Sequence, residues 1–155
     1  MMYFDNLTLK AFVEENSNFF TGARIQKVQQ PTRREFIFTL RNNGETRKFY
    51  ANITPNMHHI CFMSKENEAK RYLEIPKQPP MFCMLLRKYV ESAKICRIEQ
   101  PFYERILEIY IEAYNELSEK IQLCLAFELM GKHSNIVLYS SARLLISIFH
   151  SSLLL

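Results

Sequence analysis

The spacing of apolar residues predicts two amphipathic helices in this chain. Apolar positions recur every three to four residues over about residues 7–18 and again over residues 81–92. Asn6 is placed to cap the start of the first helix. The pair Pro79-Pro80 precedes the second helix, where proline suits the first turn because that turn leaves its N–H groups unpaired. We therefore expect one helix near the N-terminus and one near the middle of the chain.

From residue 94 onwards, apolar and polar residues alternate with a period of two, which predicts strands, and several short segments before residue 64 are also strand-like in composition. The predicted strands cover residues 23–30, 35–41, 48–53, 58–63, 94–100, 106–112, 121–128 and 136–139. Asn42-Asn43-Gly44 supplies residues that accept the positive φ angles of a tight hairpin between two of them.

Two further segments can be predicted in more detail. In the strand at 94–100, alternation places Ile95, Arg97 and Glu99 on one face. Residues 64–78 are charged and polar, and we expect them to form a mobile loop.

Several strands with only two helices predict an α+β fold, in which the helices pack against an antiparallel β-sandwich or half-barrel. The length of 155 residues suggests one domain. We place that domain at residues 1–140 and expect residues 141–155 to be a truncated final strand or the start of a following segment. The apolar run at the end of the chain would be poorly tolerated in water, so we expect a fragment of a longer protein.

The distribution of charge changes this picture by indicating a class of partner. Residues 24–97 carry 15 Lys and Arg against 6 Asp and Glu, whereas residues 98–155 carry 4 against 7. A basic segment attracts polyanions and speeds their encounter. For a net charge of +4, an ordinary solvated surface is an equally good explanation.

The sequence lacks the common catalytic and metal-binding motifs. No Gly-rich nucleotide loop, nucleophile elbow or zinc-protease motif is present, and the four Cys form no closely spaced pair. Adjacent His58 and His59 would point to opposite faces of a strand, and Glu108 and Glu112 would face solvent. We therefore expect no catalytic residue, no metal and no cofactor. Neither a signal peptide nor a long apolar run is present, so we expect a cytoplasmic protein that does not contact membranes.

Two stretches combine apolar residues with neighbouring cations. Residues 79–88 read Pro-Pro-Met-Phe-Cys-Met-Leu-Leu-Arg-Lys, and residues 128–136 read Glu-Leu-Met-Gly-Lys-His-Ser-Asn-Ile. They can be explained as a helix start and a turn between strands, with Gly131 supplying an unusual backbone angle. They also closely resemble the two signature stretches of the NFACT-N domain, which belongs to proteins related to fibronectin-binding protein A and to the Rqc-H factors.

Other parts of the chain resemble the same family in the same order. Phe4-Asp5-Asn6 is similar to the family's opening Phe-Asp-Gly, residues 28–31 to its turn ending in Gln-Pro, and Glu104-Arg105 to its Asp-Arg pair. The resemblance spans residues 4 to about 140, which would make residues 1–140 an NFACT-N domain.

The resemblance implies a function in ribosome-associated quality control. NFACT proteins bind large ribosomal subunits that carry a stalled peptidyl-tRNA, recruit aminoacyl-tRNA and promote C-terminal tailing of the nascent chain. Their N-terminal module resembles the N-terminal domain of formamidopyrimidine-DNA glycosylase and contacts tRNA near its anticodon arm. The family's helix-hairpin-helix segment, coiled coil and C-terminal RNA-binding domain are absent from this sequence, so we expect this fragment alone to bind ribosomes weakly or not at all.

The resemblance also assigns site residues. By match to the Asp-Arg pair, Glu104 and Arg105 are the first candidates for RNA contact, although Glu in place of Asp leaves the fine tRNA geometry in doubt. Arg105 suits phosphate or base-edge contacts, and Glu104 can orient its guanidinium or accept from a base amino group. A simple ion pair at a strand edge is the structural alternative. Further candidates for RNA contact are Arg87, Lys88, Lys132 and His133.

Two other functions compete with RNA binding. Some family members are described as fibronectin-binding surface proteins, which would make this chain an adhesin module with a second association with the cell surface. The other competitor is a DNA glycosylase remnant. Those enzymes use an N-terminal proline followed by a catalytic Glu, and here Met2-Tyr3 follows Met1. Without that nucleophile, base excision has no covalent chemistry available.

Overall fold

The computed structural model describes residues 5–65, 75–140 and 145–149, which form an α+β fold of two helices and one antiparallel sheet. In chain order the elements are α1 Asn6–Phe20, β1 Arg24–Thr32, β2 Glu35–Asn42, β3 Glu45–Asn52, β4 His59–Phe62, α2 Met81–Val90, β5 Lys94–Glu99, β6 Ile106–Tyr114, β7 Lys120–Glu128, β8 Asn135–Ser140 and β9 Leu145–Phe149. Short 3-10 turns at Pro101–Tyr103 and Gly131–His133 flank the β6–β7 hairpin. None of the helices in the described ranges is long and apolar enough to cross a membrane.

The nine strands of the described residues lie in the order β4-β3-β2-β1-β5-β6-β7-β8-β9. The ring of Phe127 on β7 is 5.7 Å from Phe38 on β2 and 5.5 Å from Phe49 on β3. In a flat sheet β2 and β7 would lie about 19 Å apart, at ~4.8 Å per strand spacing. The sheet therefore curls on itself and encloses an aromatic core. The prediction of an α+β fold with an antiparallel sheet and two helices is confirmed.

The first helix packs against this aromatic core. Leu9 and Phe20 of α1 are fully buried, and Phe20 packs edge-on against Phe49 at 5.5 Å. The predicted cap is wrong by one residue: Asp5, not Asn6, caps α1. Asp5 has an extended backbone, and its Oδ1 accepts a 2.8 Å hydrogen bond from the backbone N of Thr8, whereas Asn6 is already helical.

The second helix packs on the same core. Its buried residues are Cys83, Leu86 and Val90, and Phe82 packs edge-on against Phe36 of β2 at 5.8 Å. The helix begins directly after Pro80, as the sequence predicts.

The hairpin between β2 and β3 is confirmed, because Asn43 and Gly44 have φ of 49° and 78°. The predicted face of β5 is wrong in part. The pairing of β5 with β6 shifts between Ile95 and Arg97, so Ile95 is buried while Arg97 is exposed. An extra residue in one strand reverses the side-chain alternation, and a pattern of period two does not reveal it.

Two sequence predictions concern segments at the limits of the described residues. Most of the predicted mobile loop, residues 66–74, lies outside the described residues. Residues 145–149 form β9, which pairs antiparallel with β8. The division of the chain at residue 140 stays a prediction.

Candidate nucleic-acid interface

The loop that leads into β6 is held at several points by its main chain. The backbone N of Glu104 donates to the carbonyl of Pro101 at 2.9 Å, and the carbonyl of Arg105 accepts from Leu129 N at 2.8 Å. The side-chain amide of Gln100 donates to the carbonyls of Asn6 and Glu104, both at 2.9 Å. Because the loop is tied to α1 and to the end of β7, its exposed side chains project from a fixed backbone.

Arg105 presents a free guanidinium on this loop. Its side chain is exposed, and among the described residues it makes no ion pair or hydrogen bond. Glu104 is also exposed and does not pair with it, so the alternative of a strand-edge ion pair is wrong. The predicted orienting contact from Glu104 to Arg105 is not formed either. An unpaired Arg keeps its planar set of donors available for an external anion or base edge.

A shallow depression lies beside Arg105. Its volume is about 470 Å³, and its lining residues are Asp5, Asn6, Tyr103, Glu104, Arg105 and Met130. The turn Gly131–His133 follows Met130 directly and carries Lys132 and His133, both exposed. Gly131 adopts a φ of 64°, as its position in a tight turn predicts. We call this region the Arg105 end: residues 100–105 and 130–133 with the start of α1.

The charges at the Arg105 end are mixed rather than uniformly basic. Half-buried Glu128 has a raised pKa because burial disfavours its charged form and the nearby Glu104 carboxylate adds to the effect. The hydrogen bond from the Thr8 backbone lowers the pKa of Asp5. Carboxylates repel phosphates but accept hydrogen bonds from base amino groups. This arrangement suits recognition of bases by their edges better than a simple phosphate clamp.

Two exposed aromatic residues belong to the Arg105 end, and the sequence analysis missed both. Phe102 and Tyr103 have φ of 49° and 56°, and their side chains are 90% and 67% exposed. The Lys10 ammonium lies 5.4 Å from the centre of the Tyr103 ring. The available signal was an aromatic pair directly before Glu104-Arg105, but sequence alone does not show whether such a pair is buried.

The structure places Arg87 in a packing role. Its Nε donates to the carbonyl of Val28 at 2.9 Å and lies 4.0 Å from Glu91 Oε1, which accepts from the backbone N of Val28 at 3.1 Å. Arg87 and Glu91 thus fasten α2 to β1.

Lys88 lies far from Arg105. Its Nζ is 3.7 Å from Glu116, in the turn between β6 and β7, and it lines a second depression with Tyr114 and Leu117. We call Lys88 with residues 114–120 the Lys88 end. The nine residues of β6 separate the two ends by roughly 30 Å at ~3.3 Å per residue. Of the six predicted contact residues, the structure therefore groups four at the Arg105 end and leaves Arg87 and Lys88 apart.

The described residues contain no cluster of three or more His, Cys, Asp or Glu side chains able to hold a metal ion. Glu108 and Glu112, the two acids that share a face of β6, each contact a neighbouring side chain. Glu108 accepts from the hydroxyl of Tyr110 at 2.9 Å and from that of Tyr139, while Glu112 lies 3.3 Å from the Lys120 ammonium. Burial is the main cause that raises the pKa of Tyr110 to about 12, so this hydroxyl stays a donor at neutral pH.

Comparison with known proteins identifies relatives along nearly the whole chain. The model of the family "NFACT N-terminal and middle domains" matches residues 5–152. The chain is 36% identical over 143 residues to the Rqc2 homolog RqcH of Bacillus subtilis (strain 168), covering 91% of this chain and 24% of the relative. It is 31% identical over 111 residues to the archaeal Rqc2 homolog aRqcH of Methanocaldococcus jannaschii, covering 69% of this chain and 15% of the relative. The chain spans about a quarter of the length of the bacterial relatives it matches.

Solved structures of similar fold are known as well. The N-terminal domain of fibronectin-binding protein PavA from Streptococcus pneumoniae superposes with a TM-score of 0.86 at 34% identity, covering 95% of this chain and 54% of that one. The fibrinogen-binding protein from Staphylococcus aureus gives a TM-score of 0.82 at 30% identity, covering 96% of this chain and 50% of that one.

Proposed function

Since this chain belongs to the NFACT family, whose model matches residues 5–152, we propose that it is a noncatalytic RNA-binding module of a ribosome quality control factor. In this proposal it binds tRNA on stalled large ribosomal subunits and supports C-terminal tailing of the nascent chain, in the cytoplasm. The names of its relatives support the quality control part, because they are Rqc2 homologs from bacteria and an archaeon.

One observation carries the RNA-binding part: Arg105 is exposed on a loop that backbone bonds hold in place, and its guanidinium makes no ion pair or hydrogen bond to any residue that the structure describes. A folded protein gains little stability from a charge in this position. An RNA ligand would gain a preorganised donor set for a phosphate or a base edge. Lys132 and His133 lie on the same end of the molecule and are the further contacts of the proposed interface.

The proposal includes no catalytic step. Glu108 and Glu112, the two acids that share a strand face, are each held by a neighbouring hydroxyl or ammonium, which leaves no free acid-base pair there. The likeness to formamidopyrimidine-DNA glycosylase stays a prediction about ancestry of the fold. Incubation with an oxidised-purine duplex and borohydride should trap no covalent adduct, and an adduct would contradict the noncatalytic assignment.

The proposed function is tested by measuring tRNA affinity across a series of salt concentrations. We expect the affinity of the native chain to fall with salt, and Arg105→Ala to weaken binding about tenfold, since a single Arg contact contributes ~1–3 kcal/mol. Arg105 is exposed and has no side-chain partner in the described part of the chain, so the variant should unfold at the same temperature as the native chain. Binding that is independent of salt and of Arg105 would contradict the proposal.

The alternative function is that of a fibronectin-binding adhesin module. It is motivated by the solved relative named as fibronectin-binding protein PavA. A direct binding assay with fibronectin separates the two functions. Under our proposal the chain should bind tRNA and not fibronectin, whereas tight fibronectin binding by a chain that does not bind tRNA would favour the adhesin.

A further inference from the structure

Phe102 and Tyr103 have a backbone conformation that aromatic residues rarely adopt. Both lie in the left-handed region, with φ of 49° and 56°, and they are consecutive. In this region the side chain crowds the following carbonyl, which is why glycine and asparagine usually occupy it. Strained conformations of this kind persist where the surroundings impose them, and they concentrate at functional sites.

Internal packing does not explain this conformation. The Phe102 side chain is 90% exposed, and neither ring belongs to the aromatic core. The loop is nevertheless fixed, because Glu104 N bonds to the Pro101 carbonyl and the Gln100 amide spans Asn6 and Glu104. The loop thus holds two large aromatic side chains exposed to water, directly before Glu104-Arg105.

The neighbours of the two rings are charged. The Lys10 ammonium lies 5.4 Å from the Tyr103 ring centre, Arg105 follows two residues later, and Glu104 stands between. An apolar protein partner would have to bury these charges. A nucleic acid strand meets all of them, since its bases offer flat apolar faces, its phosphates meet the cations, and base amino groups meet the carboxylates.

We propose that Phe102 and Tyr103 form a stacking platform for unpaired RNA bases, with Phe102 as the principal ring and Arg105 beside it. This inference rests on the proposed function and narrows it, because it assigns the Arg105 end to single-stranded loops of an RNA rather than to double helix. In a duplex the base faces are already stacked on each other and are closed to side chains. The adjoining depression of about 470 Å³ gives a splayed base room beside Tyr103.

A single tryptophan can report this contact, because the chain contains no Trp. We would place it with Phe102→Trp and, as the matched control, with Tyr114→Trp, since Tyr114 is 69% exposed but belongs to the Lys88 end. The ligands are an RNA hairpin with a single-stranded loop and a blunt RNA duplex of the same stem. We expect the hairpin to quench the fluorescence at position 102 and to leave that at position 114 unchanged, while the duplex quenches neither.

Affinity provides the second readout. Phe102→Ala should weaken binding of the hairpin roughly tenfold and leave duplex binding unchanged, because a stacked base loses its aromatic partner. Tyr114→Ala should change neither affinity. Both native residues are largely exposed, so circular dichroism of all variants should match that of the native chain.

The outcomes separate this inference from the function on which it rests. If Arg105→Ala weakens hairpin binding while Phe102→Ala does not, the stacking platform is wrong and the RNA-binding function stands. If the native chain binds neither RNA, both are overturned. A fluorescence change at position 102 caused by fibronectin but not by RNA would overturn the platform and indicate a protein partner.

Discussion

The two ends of β6 carry similar residues, but their cations differ in whether they are paired with a carboxylate. Each end has an exposed aromatic residue and a cation near a depression. Each also has a residue with positive φ, which is Phe102 at the Arg105 end and Ser118 at the Lys88 end. At the Lys88 end the cations are paired, with Lys88 3.7 Å from Glu116 and Lys120 3.3 Å from Glu112. Within the described ranges, the guanidinium of Arg105 has no such partner.

This difference shows why composition alone does not locate a binding surface. A cation already satisfied by a carboxylate must lose that contact before it can bind a phosphate, so Lys88 gains less from RNA than Arg105 does. The excess of Lys and Arg in residues 24–97 indicates a different part of the chain from the proposed site, because Arg105 lies outside that segment. The state of each charge, rather than the number of charges, distinguishes the two ends.

The largest expected difference between the ends is in tRNA affinity. Where Arg105→Ala should weaken binding about tenfold, Lys88→Ala should weaken it less than about twofold, since an exposed ion pair contributes ~0–1 kcal/mol and is lost on binding. Titrations at one fixed salt concentration compare the two variants directly. Equal losses would mean that the ends do not differ in function.

The amides that organise the two turns provide a matched pair of substitutions. Gln100 donates to two carbonyls at the Arg105 end, while Asn115 Oδ1 accepts from the backbone N of Leu117 and of Glu119 at the Lys88 end, both at 2.9 Å. Either residue changed to Ala should lower the free energy of unfolding by about 1–2 kcal/mol, measured by urea denaturation. Only Gln100→Ala should also weaken tRNA binding, by a few fold, because the loop before Arg105 then loosens. Weaker tRNA binding by Asn115→Ala would mean that the Lys88 end contributes to binding as well.

Replacing a residue of positive φ with glycine should have a smaller effect. It should raise the stability of the fold at both ends, and at Phe102 it should also weaken RNA binding. Phe102→Gly and Ser118→Gly should each raise the free energy of unfolding by about 0.5–1 kcal/mol, because glycine adopts this backbone without strain. Thermal unfolding measures the gain. Phe102→Gly should at the same time weaken binding of loop RNA, whereas Ser118→Gly should not. A stabilised Phe102→Gly variant that binds RNA normally would leave the strain without a functional reason.

The smallest expected effect is on stability, through one carboxylate beside each end: Glu128 beside the Arg105 end and Glu112 beside the Lys88 end. The pKa of Glu128 is raised in the folded chain, so the native state binds more protons than the unfolded state, and stability falls as pH rises from below 4.5 through the folded pKa. Glu128→Gln should remove this loss of stability. The variant should therefore be slightly more stable than the native chain at neutral pH, and this gain should be smaller at acidic pH. Glu112→Gln, which breaks the contact with Lys120, should give no such gain. Urea denaturation at pH 4 and pH 7 measures both, and a destabilised Glu128→Gln variant at pH 7 would contradict the sign.

Much of the fold could be predicted from the sequence because its signals are local. Period-two patterns located β6 and β7, and Asn43-Gly44 fixed the β2–β3 hairpin through backbone angles that these residues accept. The bulge in β5 escaped prediction because the neighbouring strand imposes it. The choice of Asp5 over Asn6 as cap depended on a single residue of register, since both side chains can cap a helix.

The candidate site was predicted less completely than the fold. The pair Glu104-Arg105 came from family resemblance, and its surroundings followed only from tertiary structure, which brings Asp5, Tyr103 and Met130 together. Lys88 was grouped with Arg105 as a cation beside apolar residues, and the sequence does not show that it lies at the other end of β6, 3.7 Å from Glu116. Phe102 was missed because Phe is usually a buried residue, and the sequence does not show that this side chain is 90% exposed.

The most direct test of the account is to ask which end of β6 touches RNA. Ultraviolet light cross-links side chains to unpaired bases in contact with them, and trypsin cuts after Arg97, Arg105 and Lys120. The loop before β6 and the turn after it therefore fall in separate peptides, residues 98–105 and residues 106–120, which mass spectrometry distinguishes after digestion of the native chain cross-linked to tRNA. We predict a nucleotide adduct on residues 98–105; an adduct on residues 106–120 with none on residues 98–105 would contradict the account.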